Sequence, residues 1–448
     1  MLRQNPWLGL ALLIVVQLAL LVGLRELRSR MALHAEVSRK AAHVALGLSL
    51  LACPFLFDTV WPVAALAGAA VFVIAVMRWM PGIKERFGGV VGGVARGSGG
   101  DFYFPLSAAA LFVIANGDRI LFGVPILILT FADAIAALIG VFYGRVRMTG
   151  ADKTVEGSLA FFLVAFFATH VPLLLLSDTT RGASLMIALI VGLLVMLLEA
   201  VSLYGTDNVF IPFGGYLLLR AFLTMSTARL GVLLLVVLLV FALVFAMRRR
   251  RSLNDSAMLA AVLVGFLVWS VGGWRWIVPP LVYFLTYTPL WPRKSLLRDK
   301  PHNVTTIMAV VSAGLLWLLL AVRFNAPELY YPYTLAFACH LMFMGITWHR
   351  IAKPRTAAWL TLAVSAVAGW AVMFAPFALL SWGTAGSTIL VLAALLWLAV
   401  GGVAYMILVR SGRDVPPESY AWTRHALLGV ATSALGVVPV AQRLLERQ

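Results

Sequence analysis

The chain has 448 residues, 62% of them hydrophobic and only 12% charged, with a mean hydropathy of +0.97. That balance excludes an ordinary soluble domain, because so little polar surface cannot cover so much apolar side chain. The formal net charge of +17 does not point to nucleic acid: the basic residues cluster in short loops between apolar runs, the pattern of a membrane protein with its positive loops inside.

In chain order, apolar runs fall near residues 6–24, 44–57, 60–77, 102–115, 120–142, 157–176, 184–203, 209–225 and 230–247. A second set falls near 256–271, 274–290, 304–322, 331–347, 357–381 and 387–409, with a weaker run at 425–441. Runs of this length predict an all-α, polytopic transmembrane protein with about 15 membrane helices. The first run is longer than a signal-peptide core and lacks a clear cleavage site, so it reads as a retained helix. Cys53 and Cys339 both lie in apolar runs and show neither metal spacing nor a disulfide framework.

Loop charge orients the helices. Arg25, Arg28, Arg30, Arg39 and Lys40 follow the first run, which places that loop in the cytoplasm. Alternation then puts residues 78–101, 143–156, 204–208, 248–251, 291–303 and 348–356 on the same side, each but 204–208 with basic residues. The expected location is a bacterial inner membrane. The arginines at 248–251 divide the chain into a domain of residues 1–250 and a second of 251–448, in which acids nearly vanish.

Chemistry concentrates between Asp133 and Gly157. Asp133, Ala136, Gly140 and Gly144 are spaced i, i+3, i+7 and i+11, so a helix would carry them on one face of a single acid and small residues. Such a face either packs closely or lets a ligand approach the backbone. Lys153, Thr154 and Glu156 follow in a basic loop. A lysine holds phosphate as a point charge, and acids and hydroxyls suit a Mg²⁺ that already carries phosphates. A regular helix over 120–144 would put Asp133 about 16 Å from its inner end, too deep for nucleotide phosphates unless the helix breaks or a polar cavity opens.

Other polar groups share the cytoplasmic side. Arg39, Lys40 and His43 lie on one side of the second helix, as snorkelling anchors or as site residues. Gly88 to Gly100 reads as a flexible loop and is no P-loop, and Asp101 ends it. Glu199 is an intramembrane acid, and Asp207 with Asn208 sits where a helix restarts, as a cap or as part of the site.

The run Asp133-x-x-Ala136-x-x-x-Gly140-x-x-x-Gly144, eight residues, then Lys153-Thr154-x-Glu156-Gly157 resembles the nucleotide-binding signature of the CTP-dependent lipid-alcohol kinases. That family includes dolichol kinase, phytol kinase and a diacylglycerol kinase. Arg39-Lys40-x-x-His43 resembles its Arg-Lys-x-x-His element, and Glu199-Ala200 with Asp207-Asn208 and Pro212 resembles its Glu-Ala … Asp-Asn … Pro element. The resemblance covers roughly residues 30–230. It implies transfer of the γ-phosphoryl group of CTP, with Mg²⁺, to a lipid alcohol. Lys153 would hold phosphates. Asp133, Glu156 and Asp207 would hold metal or orient the hydroxyl, His43 would serve as base, and Arg39, Lys40 and Asn208 would contact substrate or phosphate. Ala260–Gly265 and Gly272–Trp276 are similar to the opening of the phytyl-phosphate kinase-like membrane family, which favours an isoprenoid alcohol such as phytol or a polyprenol. That family's later acidic element is missing, so residues 251–448 read as accessory.

Two rivals remain at this stage. A phosphatidate cytidylyltransferase shares a Lys-Thr-x-Glu-Gly-like element, but its second signature with Pro-Gly-His-Gly-Gly is missing here. A transporter or flippase could use Asp133 and Glu199 as ion sites, yet has no need of the Lys153–Gly157 loop. Expected partners are a lipid alcohol, a nucleotide and membrane lipids, with no nucleic acid.

Overall fold

The computed structural model describes residues 5–31, 34–79, 99–149, 153–202, 205–246, 253–290, 302–381, 386–410 and 418–441. The Gly88–Gly100 loop, apart from its last two residues, and the arginines at 248–251 lie outside them. Among the described residues the protein is helical, with isolated β-bridges in place of a sheet.

Among the described residues ten helices are long and apolar enough to cross a membrane, and Trp61–Val76 and Gly100–Ala115 are shorter apolar helices. The protein is therefore an all-α, multi-pass membrane protein. The chain divides into two compact units, Met1–Leu238 and Leu239–Gln448.

In the first unit, α1 (Pro6–Met31) and α2 (Ala35–Leu50) pack together, and a short α3 (Cys53–Leu56) leads to α4 (Trp61–Trp79). The second element thus begins well before the apolar run at 44–57, and it stops where Pro54 removes a backbone donor. Helix α5 (Gly100–Ala115) follows. Helix α6 (Arg119–Leu127) then continues through a single π-helical turn (Ile128–Ala132) into α7 (Asp133–Phe142). The Asp118 carboxylate caps α6 by accepting the N–H groups of Ile120 and Leu121.

Helices α8 (Val155–Leu176) and α9 (Arg181–Val201) form the most tightly packed pair of the unit. Their caps are explicit: Thr154 accepts the Gly157 N–H and Thr180 accepts the Ala183 N–H. Helix α10 (Asp207–Phe222) packs on α5, α6 and α9, and α11 (Thr227–Ala246) carries the unit boundary.

The second unit holds α12 (Asp255–Gly272), α13 (Trp274–Leu290), α14 (Val304–Arg323), α15 (Tyr330–Ala352), α16 (Ala358–Leu380), α17 (Ser387–Arg410) and α18 (Glu418–Leu435). Helix α15 is its axis, packed against α13, α14, α16, α17 and α18. Cys339 and His340 are fully buried on it, and Cys53 is buried in the first unit. One polar contact ties the core: the Trp317 indole N–H donates to Ser433 Oγ at 2.8 Å, joining α14 to α18.

In a dry interior an orphaned donor costs about 1–3 kcal/mol. Ser433→Ala is therefore expected to lower the unfolding midpoint in detergent, and Trp317→Phe in the same chain to recover part of the loss. Equal midpoints for Ser433→Ala and the unmodified protein would show that this bond contributes nothing.

Candidate functional site

The site begins at the π-helical turn. A π turn shifts the backbone hydrogen bonding of the helix by one residue and frees a carbonyl. Here the Leu129 carbonyl accepts from His43 Nε2 at 3.0 Å. A carbonyl can only accept, so Nε2 carries a proton, and burial pushes the His43 imidazole below its ordinary value. The next residue after the turn is Asp133, whose Oδ2 lies 2.5 Å from Lys40 Nζ and 3.6 Å from His43 Nε2. The Lys40 and Asp133 side chains are only 4% and 11% exposed. At this depth Lys40 and His43 reach Asp133 from α2, while the widened turn precedes Asp133 and regular α7 still separates it from Phe142.

Close approach of α2 to this turn is built in. Gly47 sits against the Thr130 side chain, where a Cβ would lie 2.8 Å from Thr130 Cγ2. Arg39, one residue before Lys40, is held by Glu36 at 2.6 Å and lies within electrostatic reach of Asp133 and Asp101.

A second ion pair joins Lys153 to Glu199. Lys153 is placed by a tight return of the chain. The Met148 N–H donates to the Lys153 carbonyl at 2.9 Å, and the Val155 N–H to the Val146 carbonyl at 2.9 Å, before Thr154 opens α8. Burial alone would depress the Lys153 ammonium. The Glu199 carboxylate, with Asp207 and Asp133 further off, outweighs burial and holds it above its ordinary value.

Asp207 stands in the first turn of α10, half-buried, where negative charge is favoured. Beside it, Asn208 Nδ2 donates to the Gly100 carbonyl at 3.1 Å, and Asn208 Oδ1 is buried without a hydrogen-bond partner. This joins the start of α10 to the start of α5. Asp101 follows immediately and faces Arg39 and Arg78 electrostatically.

The structure thus brings Arg39, Lys40, His43, Asp133, Lys153, Asp207 and Asn208 into one polar region, with Glu199 and Asp101 added. The remaining expected residues have other places. Helix α7 ends at Phe142, so Gly144 lies in the turn beyond it and not on a continuous helical face. A Cβ on Gly140 would meet Thr154 Oγ1 at 3.1 Å, one on Gly144 would meet Thr154 Cγ2 at 2.6 Å, and one on Gly157 would meet the Ala136 carbonyl at 2.9 Å. The small-residue face is therefore filled by the start of α8. Glu156 accepts from the Val146 N–H, with both its oxygens 3.2 Å from the Val146 nitrogen, so its carboxylate braces the turn after α7. Glu199 was legible as an intramembrane acid; its role as the partner of Lys153 was not.

Among the described residues no group of three or more His, Cys, Asp or Glu side chains could hold a metal ion. The donor set therefore does not fit a resident metal. Asp207 and Glu199 lie within electrostatic reach of each other and of Lys153.

The chain is 31% identical over 233 residues to a phytol kinase from Synechocystis sp., a match covering 48% of this chain and 94% of the relative. The chain belongs to the phytol kinase family. No protein-family profile matches it, and no solved structure matches it.

The Lys153–Glu199 pair yields a direct test. Removing the carboxylate by Glu199→Gln leaves burial as the dominant influence on Lys153, so its ammonium is expected to deprotonate at lower pH. The rate of Lys153 labelling by an amine-acylating reagent, followed by mass spectrometry, should rise at lower pH in the variant than in the unmodified protein. Coincident pH profiles would show that Glu199 does not hold the charge.

Proposed function

We propose that the protein is an integral-membrane kinase that moves the γ-phosphoryl group of CTP to the hydroxyl of a prenyl alcohol of the phytol or polyprenol class. The observation that carries this reading is the pair of lysine–carboxylate contacts, Lys40–Asp133 and Lys153–Glu199, in a member of the phytol kinase family. Phosphoryl transfer asks the protein mainly for positioning and charge neutralisation. Lysines that are already dehydrated and partnered can exchange a carboxylate for a phosphate at small electrostatic cost.

In this mechanism Lys153 turns from Glu199 to the nucleotide phosphates, and Lys40 turns from Asp133 to the transferring phosphoryl group. Arg39 adds charge at the mouth of the site. Asp207 and Glu199 would hold a Mg²⁺ arriving with CTP, which would supply further neutralisation of the phosphate oxygens. The alcohol oxygen bonds to the γ-phosphorus as the bond from that phosphorus to the bridging oxygen breaks. CDP leaves with that electron pair, and the hydroxyl proton passes to Asp133. Asp133 is taken as the acceptor because it sits beside Lys40, while His43 Nε2 is committed to the Leu129 carbonyl. His43 then orients Asp133 and holds the π turn. Gly140, Gly144 and Gly157 act by letting α7 and the start of α8 approach, which sets the position of Lys153.

The distribution of loop charge supports a site open to the cytoplasm, where CTP is available, in a bacterial inner membrane. The chemistry is assigned to the first unit, since the signature residues lie there. The second unit is accessory in this reading.

The test is incubation of purified protein with CTP labelled at the γ or the α phosphate and with phytol. Only γ label should reach the lipid, and Lys153→Ala should reduce the transfer by on the order of 100-fold or more while leaving expression intact. Transfer of α label would instead indicate a cytidylyltransferase, and transfer of neither would end the kinase reading.

A further inference from the structure

An apolar groove of about 620 Å³ runs between α1, α2 and α7 and begins at Lys40, the residue paired with Asp133. Its walls are Val16 and Leu20 from α1 and Leu138 from α7, and Ala41 and Ala45 form a smooth strip along α2. At the far end Ser49 lines the groove, and its Oγ accepts a hydrogen bond from Gln17 Nε2 at 2.9 Å, so a polar bridge spans α1 and α2 there. Lys40 and Ser49 are nine positions apart on one helix, which separates them by about 13 Å. The groove thus has Lys40 at one end, an apolar body, and Ser49, bonded to Gln17, at the other.

This shape matches one kind of occupant: an amphipathic molecule with a single polar end and a hydrocarbon tail. We propose that the groove holds the first part of the tail of the alcohol substrate, with the hydroxyl at Lys40 and Asp133, and that the Gln17–Ser49 bridge limits the length of tail accepted. The proposal rests on the kinase reading and adds to it the residues that select the substrate. Selection here must work by shape. A tail leaving the bilayer for the groove exchanges one apolar surrounding for another, so burial from water supplies little. Steric fit along Ala41 and Ala45 and the closure at Gln17 decide which tails place a hydroxyl beside Asp133. None of these groove residues touches the reacting atoms except Lys40, so they are positioning residues.

The experiment has two arms, both on the full chain in detergent. In the first, phosphorylation of geraniol, farnesol, phytol and a long polyprenol is compared in the unmodified protein, Ala45→Phe and Gln17→Ala. Ala45→Phe is expected to lower kcat/KM for the longer alcohols on the order of tenfold or more relative to geraniol. Gln17→Ala is expected to shift preference toward longer tails. An equal change for all alcohols, or no change in either variant, overturns the proposal. In the second arm, which needs no turnover, a farnesol analogue bearing a diazirine in its tail is photolysed with the protein. Labelled peptides should come from α1, α2 and α7, with unlabelled phytol competing. Labelling elsewhere, or labelling by a diazirine phospholipid that phytol does not displace, overturns the proposal and leaves the kinase reading standing. Labelling in the groove without any phosphoryl transfer supports the groove and removes the kinase reading.

Discussion

The contact on which the first unit depends is the buried pair Lys40–Asp133. Charged groups removed from water are costly, and replacing such a pair by apolar residues often leaves a fold unchanged or steadier. A pair held at 2.5 Å in a membrane domain, with both side chains nearly dry, therefore needs a reason other than stability. Its surroundings supply one. Asp133 follows a π-helical turn, His43 caps the carbonyl that the turn frees, and Gly47 lets α2 close upon it. Each of these departures from a regular helix pair serves to place one carboxylate.

The second pair, Lys153–Glu199, follows the same logic from different elements. The chain turns back after α7 through backbone bonds between residues 146 and 155, Glu156 braces the turn, and Thr154 caps the helix that begins there. Lys153 is thereby carried to the end of α9, where Glu199 meets it. The two pairs give the region equal numbers of lysines and partnering carboxylates. In the proposed reaction a polyphosphate would enter by exchange of partners rather than by binding to bare charge.

Much of this was legible from residue order alone. Apolar runs announced the helices, and the cluster from Asp133 to Gly157 announced the region of chemistry. What the order could not supply is contact across distance: Lys40 and Asp133 are 93 positions apart, and no periodicity pairs them. The widened turn before Asp133 was hidden as well, because Ile128–Ala132 contains neither glycine nor proline. Pro125, shortly before it, lacks the N–H that a regular helix would use and was the available hint. Glu156 makes a local contact that residue types do not express. Its side chain is spent on a backbone N–H of the preceding turn. The glycines of the same motif read equally as packing or as ligand approach, and the structure shows their space filled by Thr154 and by the start of α8.

The central claim is that the Lys40–Asp133 pair is kept for a phosphate and not for the fold. It is tested most directly by replacing both members at once with apolar residues of similar size, Lys40→Met with Asp133→Leu, and measuring equilibrium binding of CTP alongside the unfolding midpoint in detergent. The account predicts a midpoint equal to or above that of the unmodified protein, with CTP affinity lowered on the order of tenfold or more. Undiminished CTP binding by a well-folded double variant would contradict it.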